Sequence, residues 1–411
     1  MAKVVPQVSL QLPKYVPVEP KAVAAKRRNA RKHAVALPIP TDKKYFSWER
    51  YGLADAISSL PLAGEAPQLT YEADDCGTGL KPIVIPLSQA IRDWPEHIGE
   101  SLLGEALPPE DHLFSALSGA LFRDGVVVVV PKGTKLSVNA VFPARSEALN
   151  VWRSLFIVGD SAELDVYDAT STVLGGEDDS IAVHGVEVYA HQGSRVSYTA
   201  KQSWPESVVN LAVYQAKLHR DASVDWMIGS FGAGKSQVHV ESKLAGEGAM
   251  SNVRSIFFSS HQQHYDLTLE ANHLAGHATS QTYARGVVSD NARAVYRGMI
   301  KIQPGAHGTS ADQNGHAMLL ADTAHADLIP GLEIDADDVT AGHGATVGQI
   351  DDETLFYMMS RGLSEDVARN LIVEGFFADL IRNVPKLTVR DAFLSEITSR
   401  LSSTMPGNQQ Q

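Results

Sequence analysis

From Val126 to about Val347 the chain alternates apolar and polar residues with a period of two, in short runs. VVVVV (126–130), LFIVG, AELDVYDA, GVEVYA, RVSYTA, LAVYQAKL, SVDWMI, QVHVES, RSIFFSS, YDLTLEA, AVYRGMIKI and GLEIDA follow one another. β-Branched and aromatic residues dominate them, and Gly, Asp, Asn, Ala and His separate them, which predicts strands joined by tight turns. No helix of convincing length separates them, which argues against a doubly wound α/β sheet. A small or polar residue followed by a new strand recurs at Ala162, Ser194, Ala222, Ala249 and His277, then at Ala292, Ala306, Ala324 and Ala341. The first five are spaced by roughly 27–32 residues and the later ones by roughly 14–18, about half as much. Strand pairs that climb one rung per fixed interval predict a β-solenoid, whose rungs bury their apolar faces only by stacking. A β-sandwich with closely spaced turns is the alternative. The ends of a stack expose backbone groups and need covering.

On either side the period changes. Residues 1–20 carry four prolines and read as an extended arm. Residues 21–33, KAVAAKRRNARKH, have helix-forming composition with seven basic or His side chains, read as a solvated face rather than a nucleic-acid patch. LPIPT at 37–41 stops that helix, and Tyr45, Phe46, Trp48 and Tyr51 are expected to pack on the N-terminal domain. Residues 52–120 predict short helices, with a break near Pro95 and a compact apolar helix from Leu113 to Phe122 ended by Asp124-Gly125. After Asp351 apolar residues fall at helical intervals: Leu355, Met358 and Met359, then Val367, Leu371, Phe376, Phe377, Leu380 and Ile381. Arg361-Gly362 separates these two helices, Pro385 ends the second, and a third runs from about Val389 to Leu401. The expected organisation is a mainly helical N-terminal domain (1–120), a solenoid core (121–350), a helical region capping it (351–405) and a disordered tail (406–411).

Composition removes several function classes. The net charge of −13 over 411 residues argues against general nucleic-acid binding, which relies on cationic side chains. Cys76 is the one cysteine, so neither an intrachain disulfide nor a four-cysteine iron–sulfur or zinc site can form. No apolar run reaches the ~18–20 residues that span a bilayer, and the first residues lack a signal-peptide core. The expectation is a cytoplasmic protein without membrane partners.

Three patterns bear on chemistry. Gly229–Ser236 matches the phosphate-binding motif G-x-x-x-x-G-K-[ST]. That chemistry needs a helix N-terminus facing the phosphates, yet QVHVES alternates like a strand, so a Gly-rich turn that binds no ATP is expected. A carbohydrate-active solenoid would need paired carboxylates along a groove, and no such pair stands out. Twelve of fifteen histidines lie between 184 and 343, with His261, His264, His273 and His277 clustered and His307, His316, His325 and His343 spaced more loosely. Most are read as turn or stacked residues. His343 stands out between Gly342 and Gly344, where the backbone can be approached closely and imidazole suits iron. Asp335, Asp337 and Asp338 beside it are read as a polar turn.

The segment Leu332-Glu333-Ile334, Asp337-Asp338-Val339, His343-Gly344-Ala345-Thr346-Val347-Gly348, then Leu355-Phe356-Tyr357, Ser360-Arg361-Gly362 and Gly375-Phe376-Phe377 resembles the C-terminal signature of the SufB/SufD family. These are scaffold subunits of the Suf iron–sulfur cluster assembly machine. Phe114-Ser115-Ala116-Leu117, Asp124-Gly125, Pro131-Lys132-Gly133 and Pro40-Thr41 with Trp48 extend the resemblance over roughly residues 35–385. It implies a right-handed parallel β-helix between helical regions, and a non-catalytic scaffold. It implies a SufB-type partner and a SufC-type ABC ATPase docking on the C-terminal helices at Leu355, Phe356, Tyr357, Arg361, Gly362, Phe376 and Phe377. Gly344 follows His343 where the SufB branch carries Glu, so the SufD branch is the nearer match. Ala341 stands where many SufD chains carry Cys. By the resemblance, His343 faces a partner cysteine and is a shared ligand of a transient cluster. A SufB-like homodimeric scaffold, formed by the chain alone, is the alternative. No flavin is assigned, and Cys76, far away in sequence, is expected to be inert.

Overall fold

The computed structural model describes residues 10–15, 17–39, 41–42, 46–47, 52–73, 81–176, 178–382, 384 and 386–403. Tyr45, Trp48, Tyr51, Cys76, Pro385 and the expected tail from 404 lie outside the described residues, as does the side chain of Phe46.

The core is a β-solenoid of two parallel sheets that face each other across an apolar interior. One sheet stacks Val126–Val130, Leu149–Val158, Ser180–Ala190, Val208–Leu218, Lys235–Leu244, His264–His273, Arg293–Ile302 and His325–Ile334. The other stacks Lys135–Val141, Glu163–Thr170, Arg195–Gln202, Ser223–Ser230, Met250–Ser259, Thr279–Val288, Ser310–Leu319 and Thr340–Gln349. Register is kept without slippage: Val138, Val166, Tyr198, Trp226, Val253, Thr282, Gln313 and His343 form one column. An all-parallel ladder rules out the sandwich, whose sheets are antiparallel.

The turn pattern has a backbone cause. Gly133, Ser161, Gly193, Asp221, Gly248, His277, Gly308 and Asp338 have positive φ at one corner of successive rungs. Left-handed geometry is open mainly to Gly, Asn and Asp, and six of these eight corners carry Gly or Asp, with Ser161 and His277 the exceptions. The N–H groups of Ser161, Gly193, Asp221, His277 and Gly308 donate to carbonyls one rung on, at 2.8–3.0 Å. Ala162, Ser194, Ala222 and Ala249 follow directly in the interior. Ala292 and Ala324 mark the opposite corner, which is why the later spacing halves. Ala341 departs from expectation: it lies inside the last strand, not at a turn.

The N-terminal region supplies α1 (Lys21–Ala36), α2 (Leu53–Ser59), α3 (Leu87–Asp93) and α4 (Leu113–Leu121), with a π-helical turn at His97–Leu102. It is less helical than expected. Gln68–Ala73 and Ile83–Pro86 run antiparallel to Lys135–Val141 and Val126–Val130, and they close the first rung. Every residue of α4 is buried between α1 and the first sheet. The fully buried pair Arg153–Glu187 (2.8 Å) anchors it, with Arg153 also donating to the Ser115 and Leu107 carbonyls and to Ser118 Oγ. The basic face of α1 is not wholly solvated. Arg27 is buried, pairs with Glu19 at 3.0 Å and donates to the Ala120 and Phe122 carbonyls, satisfying the end of α4.

α5 (Asp352–Ser360), α6 (Glu365–Ile381) and α7 (Leu387–Ser403) follow. They do not cap the stack. Val373, Phe377, Leu380, Ile381, Phe393 and Ile397 lie sideways on the second sheet, against Met227, Phe231, Ile256, Phe258 and Val287. Each such fully buried side chain contributes roughly 1.5–3 kcal/mol. Lys201–Glu396 (2.8 Å) and Lys386–Asp165 (2.9 Å) frame the contact. Among the described residues, the end of the solenoid is therefore left open.

Candidate functional site at the open end of the solenoid

His325–Ile334 and Thr340–Gln349 are the last strands of their sheets, each ten residues long and paired on one edge only. In a parallel ladder one residue's N–H and C=O point to the same neighbour, and the next residue's point the other way. Thr340 N–H donates to the Thr309 carbonyl at 2.9 Å and His325 N–H to the Ala292 carbonyl at 3.1 Å. Ala341, His343, Ala345 and Val347, and on the other sheet Ala326, Leu328 and Leu332, therefore turn their backbone groups to the free edge. Pro330 has the same orientation, a place proline tolerates because no N–H is needed.

The His343 side chain belongs to the inward column. A Cβ at Gly342 would lie 3.4 Å from Asp312 Oδ1, and one at Gly344 would lie 2.7 Å from Asn314 Oδ1, so those two share the outer column. By alternation His343 stacks over the buried Gln313, yet it is exposed because no rung follows. Leu332 and Ala341 pack on Ile300 and Ile302 beneath, while Ile334 and Val347 are left open. The result is an imidazole in an apolar rim between two unpaired strand edges.

A second surface lies on α5 and α6. Phe356 and Tyr357 are 73% and 58% exposed, with Met359, Val367 and Leu371 also open. The Arg361 guanidinium sits 5.1 Å from the Tyr357 ring and donates to its hydroxyl at 3.2 Å. Gly362 takes a positive φ at the turn between the helices. Leu355 and Phe377 face inward and shape this surface from below, and the half-buried Phe376 ring lies under Arg285. The expected docking residues thus divide into an exposed set and a supporting set.

The other sequence candidates disperse. His273 is buried and shares a hydrogen bond with Ser280 Oγ (2.8 Å), and burial lowers its pKa to about 4. Burial likewise holds His264 at about 3. His261 and His277 occupy left-handed corners, His261 pairing with Glu206 at 2.7 Å. His307 Nδ1 meets the Asp337 carbonyl at 2.9 Å, and Asp338 holds the corner, so the acidic trio is a turn. His316 and His325 lie exposed on the last rungs. Among the described residues, no three His, Cys, Asp or Glu side chains converge as a metal-binding group.

Gly229–Ser236 runs from strand to strand. Phe231 N–H donates to the Gln202 carbonyl, Gly232 N–H to Gln202 Oε1, Ala233 N–H to the Trp204 carbonyl and Gly234 N–H to that of Val208. The loop amides are thus engaged by neighbouring rungs. A Cβ at Gly229 would lie 2.5 Å from the Phe393 ring, so this glycine seats α7. A groove of about 380 Å³ on the second sheet carries the exposed Glu72 at its rim and, on the solenoid strands, the carboxylates Glu163, Asp165 and Asp225. Each of the latter three is paired, with Lys135 and Arg195, Lys386, and Arg254 respectively. Hydrogen bonds from Lys135 and Arg195 hold the Glu163 carboxyl below its usual range, the opposite of a general acid.

One constellation escaped the sequence reading. Ser154 Oγ lies 3.1 Å from His184 Nε2, and His184 Nδ1 lies 3.6 Å from Asp168 Oδ2, which accepts from the Tyr198 hydroxyl at 2.8 Å. The residue types are those of a nucleophilic triad, but all are buried in the solenoid interior among Phe142, Trp152 and Tyr214, where no substrate reaches them. Burial raises Asp168 to about 7, against the Tyr198 hydrogen bond, and lowers His184 to about 3. No sequence motif marks them, because rung stacking and not spacing brings them together.

Fold and open end together define a parallel β-helix scaffold with one face suited to strand pairing. Residues 142–376 match the model of the SUF system FeS cluster assembly SufBD core domain. An iron–sulfur cluster assembly SufBD family protein of Mycobacterium leprae is 30% identical over 260 residues, covering 63% of this chain and 30% of that protein. A SufBD family protein of Staphylococcus epidermidis is 28% identical over 292 residues, covering 71% and 63%. The iron–sulfur cluster assembly protein SufB of Bacillus subtilis is 30% identical over 357 residues, covering 84% and 76%. The chain thus spans about a third of the mycobacterial relative and less than two thirds of the staphylococcal one. It belongs to the SufBD family, whose core domain is described as that of SUF system FeS cluster assembly. A SufB stands among these relatives, so the similarity carries the family and not the branch. No helix among the described residues is long and apolar enough to cross a membrane.

Proposed function

We propose that this chain is a SufD-like scaffold subunit, whose open end pairs with a SufB-type subunit and whose C-terminal helices receive a SufC-type ATPase. The observation that carries the reading is the uncovered last rung, with two ten-residue strand edges around His343. Edges of that length are liabilities unless another chain covers them. A nascent cluster needs thiolates, and the whole chain holds one cysteine, so the partner supplies the sulfur ligands. His343 then offers its imidazole across the interface to the cluster, which is cargo and not a resident cofactor. On the same reading Phe356, Tyr357 and Arg361 form the ATPase contact. Movement of α5 and α6 is passed to the second sheet through Phe376 and Phe377, a rearrangement typical of nucleotide-driven switches.

The identity with the Bacillus SufB keeps a second reading in view, a SufB-like homodimeric scaffold. Co-expression with SufB and SufC separates the two. A SufD-like chain co-purifies with both. His343→Ala should leave that complex assembled and lower its cluster yield. Failure of both partners to co-purify overturns the scaffold reading, and an unchanged yield makes His343 structural. Cluster assembly by the chain without SufB selects the homodimer.

A further inference from the structure

The open end carries charge of one sign. Between Lys301 and Arg361 the sequence holds ten Asp or Glu and no Lys or Arg. Both last strands lie in that stretch. Two basic side chains one rung back are turned away from the end: Lys301 pairs with Glu270 at 3.4 Å and Arg297 with Asp266, each on the rung before. Arg293 stands on the same strand, under His325. The second sheet shows a related asymmetry on its outer face. By alternation four carboxylates stand there on the parallel strands: Glu163, Asp165, Asp225 and Asp312. Lys135 reaches Glu163 at 2.7 Å, Lys386 reaches Asp165 at 2.9 Å and Arg254 reaches Asp225 at 3.4 Å. Asp312, on the rung beneath the last, has no such cation among the described residues; its side-chain partner is Asn314, whose Nδ2 donates to Oδ2 at 2.6 Å. A carboxylate only accepts, so the Asn314 amide turns its nitrogen toward Asp312 and leaves Oδ1 with no donor among the described residues. Asp312 Oδ1 and Asn314 Oδ1 both reach toward the last rung, 3.4 Å and 2.7 Å from where Cβ atoms on Gly342 and Gly344 would stand. Neither glycine has a positive φ. What these two glycines provide is therefore space, directly over two acceptors.

We propose that the open end docks a chain of opposite charge, whose own end lays an arginine or lysine over Gly342 and Gly344 onto Asp312 and Asn314. On the rest of this face a carboxylate takes its cation from a neighbouring rung or from α7. For Asp312 the neighbouring place is the gap over the glycines, and the next strand, about 4.8 Å further on, is the partner's. That spacing lies inside the Debye length of about 8 Å at physiological salt, so the charges act across the contact. A guanidinium fits best, because its planar fork can donate to both oxygens at once. A second copy of this chain fits poorly. Its last strands bring no Lys or Arg and would set acid against acid, which costs affinity. That another chain covers the open end rests on the reading above, and the charge favours its heterodimeric form; the sign of the partner's charge is read from this chain alone.

The test measures binding of the purified full-length chain to SufB at about 50 mM and about 300 mM salt. Wild-type affinity should fall as salt rises. Asp312→Asn should weaken binding about tenfold or more at low salt, and Asp312→Lys should abolish it. Asp225→Asn, on the same face but paired with Arg254 and three rungs further back, should bind within about twofold of wild type. An Asp312→Asn affinity within about twofold of wild type overturns the proposal and leaves the SufB reading standing. If the wild type binds no SufB, the reading above falls and takes the proposal with it. The chain alone should form no end-to-end dimer at low salt. Self-association that tightens as salt falls and is lost in Ala345→Pro would give the open end to a second copy and overturn the proposal.

Discussion

Replacing Asp168 with Asn should make the stability of this protein depend on pH in a way the wild type does not. Asp168 and His184 are fully buried, 3.6 Å apart. Burial pushes the carboxyl up to about 7 and the imidazole down to about 3. Between roughly pH 4 and 6.5, folding keeps a proton on Asp168 that the unfolded chain would release, and it strips one from His184 that the unfolded chain would hold. The proton counts balance, so the pair adds almost no slope over that window. In Asp168→Asn only the histidine term survives. Its folded pKa is depressed, so stability falls as pH drops through the unfolded value near 6.5 and levels off below about 3. The wild type carries in addition the cost of ionising Asp168, which grows from about pH 4 to 7. The stability of the variant relative to wild type should therefore rise by roughly 3 kcal/mol from pH 5 to pH 8, at 1.36 kcal/mol per pKa unit. Asn keeps an acceptor for the Tyr198 hydroxyl, so the fold should survive. Urea unfolding at pH 5, 6, 7 and 8, with a common m-value, measures the difference. A difference constant to within about 1 kcal/mol would refute the reasoning and mean that Asp168 and His184 form an ion pair in the core.

Other consequences are as direct. Glu187→Ala should cost about 3–5 kcal/mol, since it strands the Arg153 guanidinium in the interior; chemical denaturation reads it, and a loss below 1 kcal/mol would remove the anchor role. Phe356→Asp should change stability by no more than about 0.5 kcal/mol, because the ring is mostly exposed, while abolishing co-purification of the ATPase. Ala345→Pro removes an N–H that faces the free edge and leaves the intrachain ladder intact; sedimentation should show loss of end-to-end association with the far-UV spectrum preserved. Gly229→Leu should detach α7 from the second sheet, seen as faster proteolysis after Arg382 or Arg390, because the new side chain would occupy the place of the Phe393 ring.

How far the sequence discloses this molecule depends on where each partner comes from. Strands such as ELDVYDA and GVEVYA are legible because alternation is local. The rung length was legible too, but a second corner, marked by Ala292 and Ala324, entered the count and halved the apparent interval. Gln68–Ala73 and Ile83–Pro86 were not legible, since their pairing partners lie forty or more residues on. The burial of Arg27 follows from two carbonyls of α4 that a helix-face argument never sees. His343 stood out by its flanking glycines, yet its inward direction depends on a parity set by pairing with Gln313. Pro330 is a signal the pattern did offer: a proline inside a strand-like run belongs on an edge, and it stands on the last one.

The two ends of the stack differ, and that difference limits growth. At the start, strands of six and four residues run against the grain of the sheets, the second passing straight into α3. At the finish, two ten-residue strands lie side by side. Two finish ends present the same pair of strands to each other. A finish-to-finish contact would use both surfaces at once, so an assembly built on that contact alone would close at two chains.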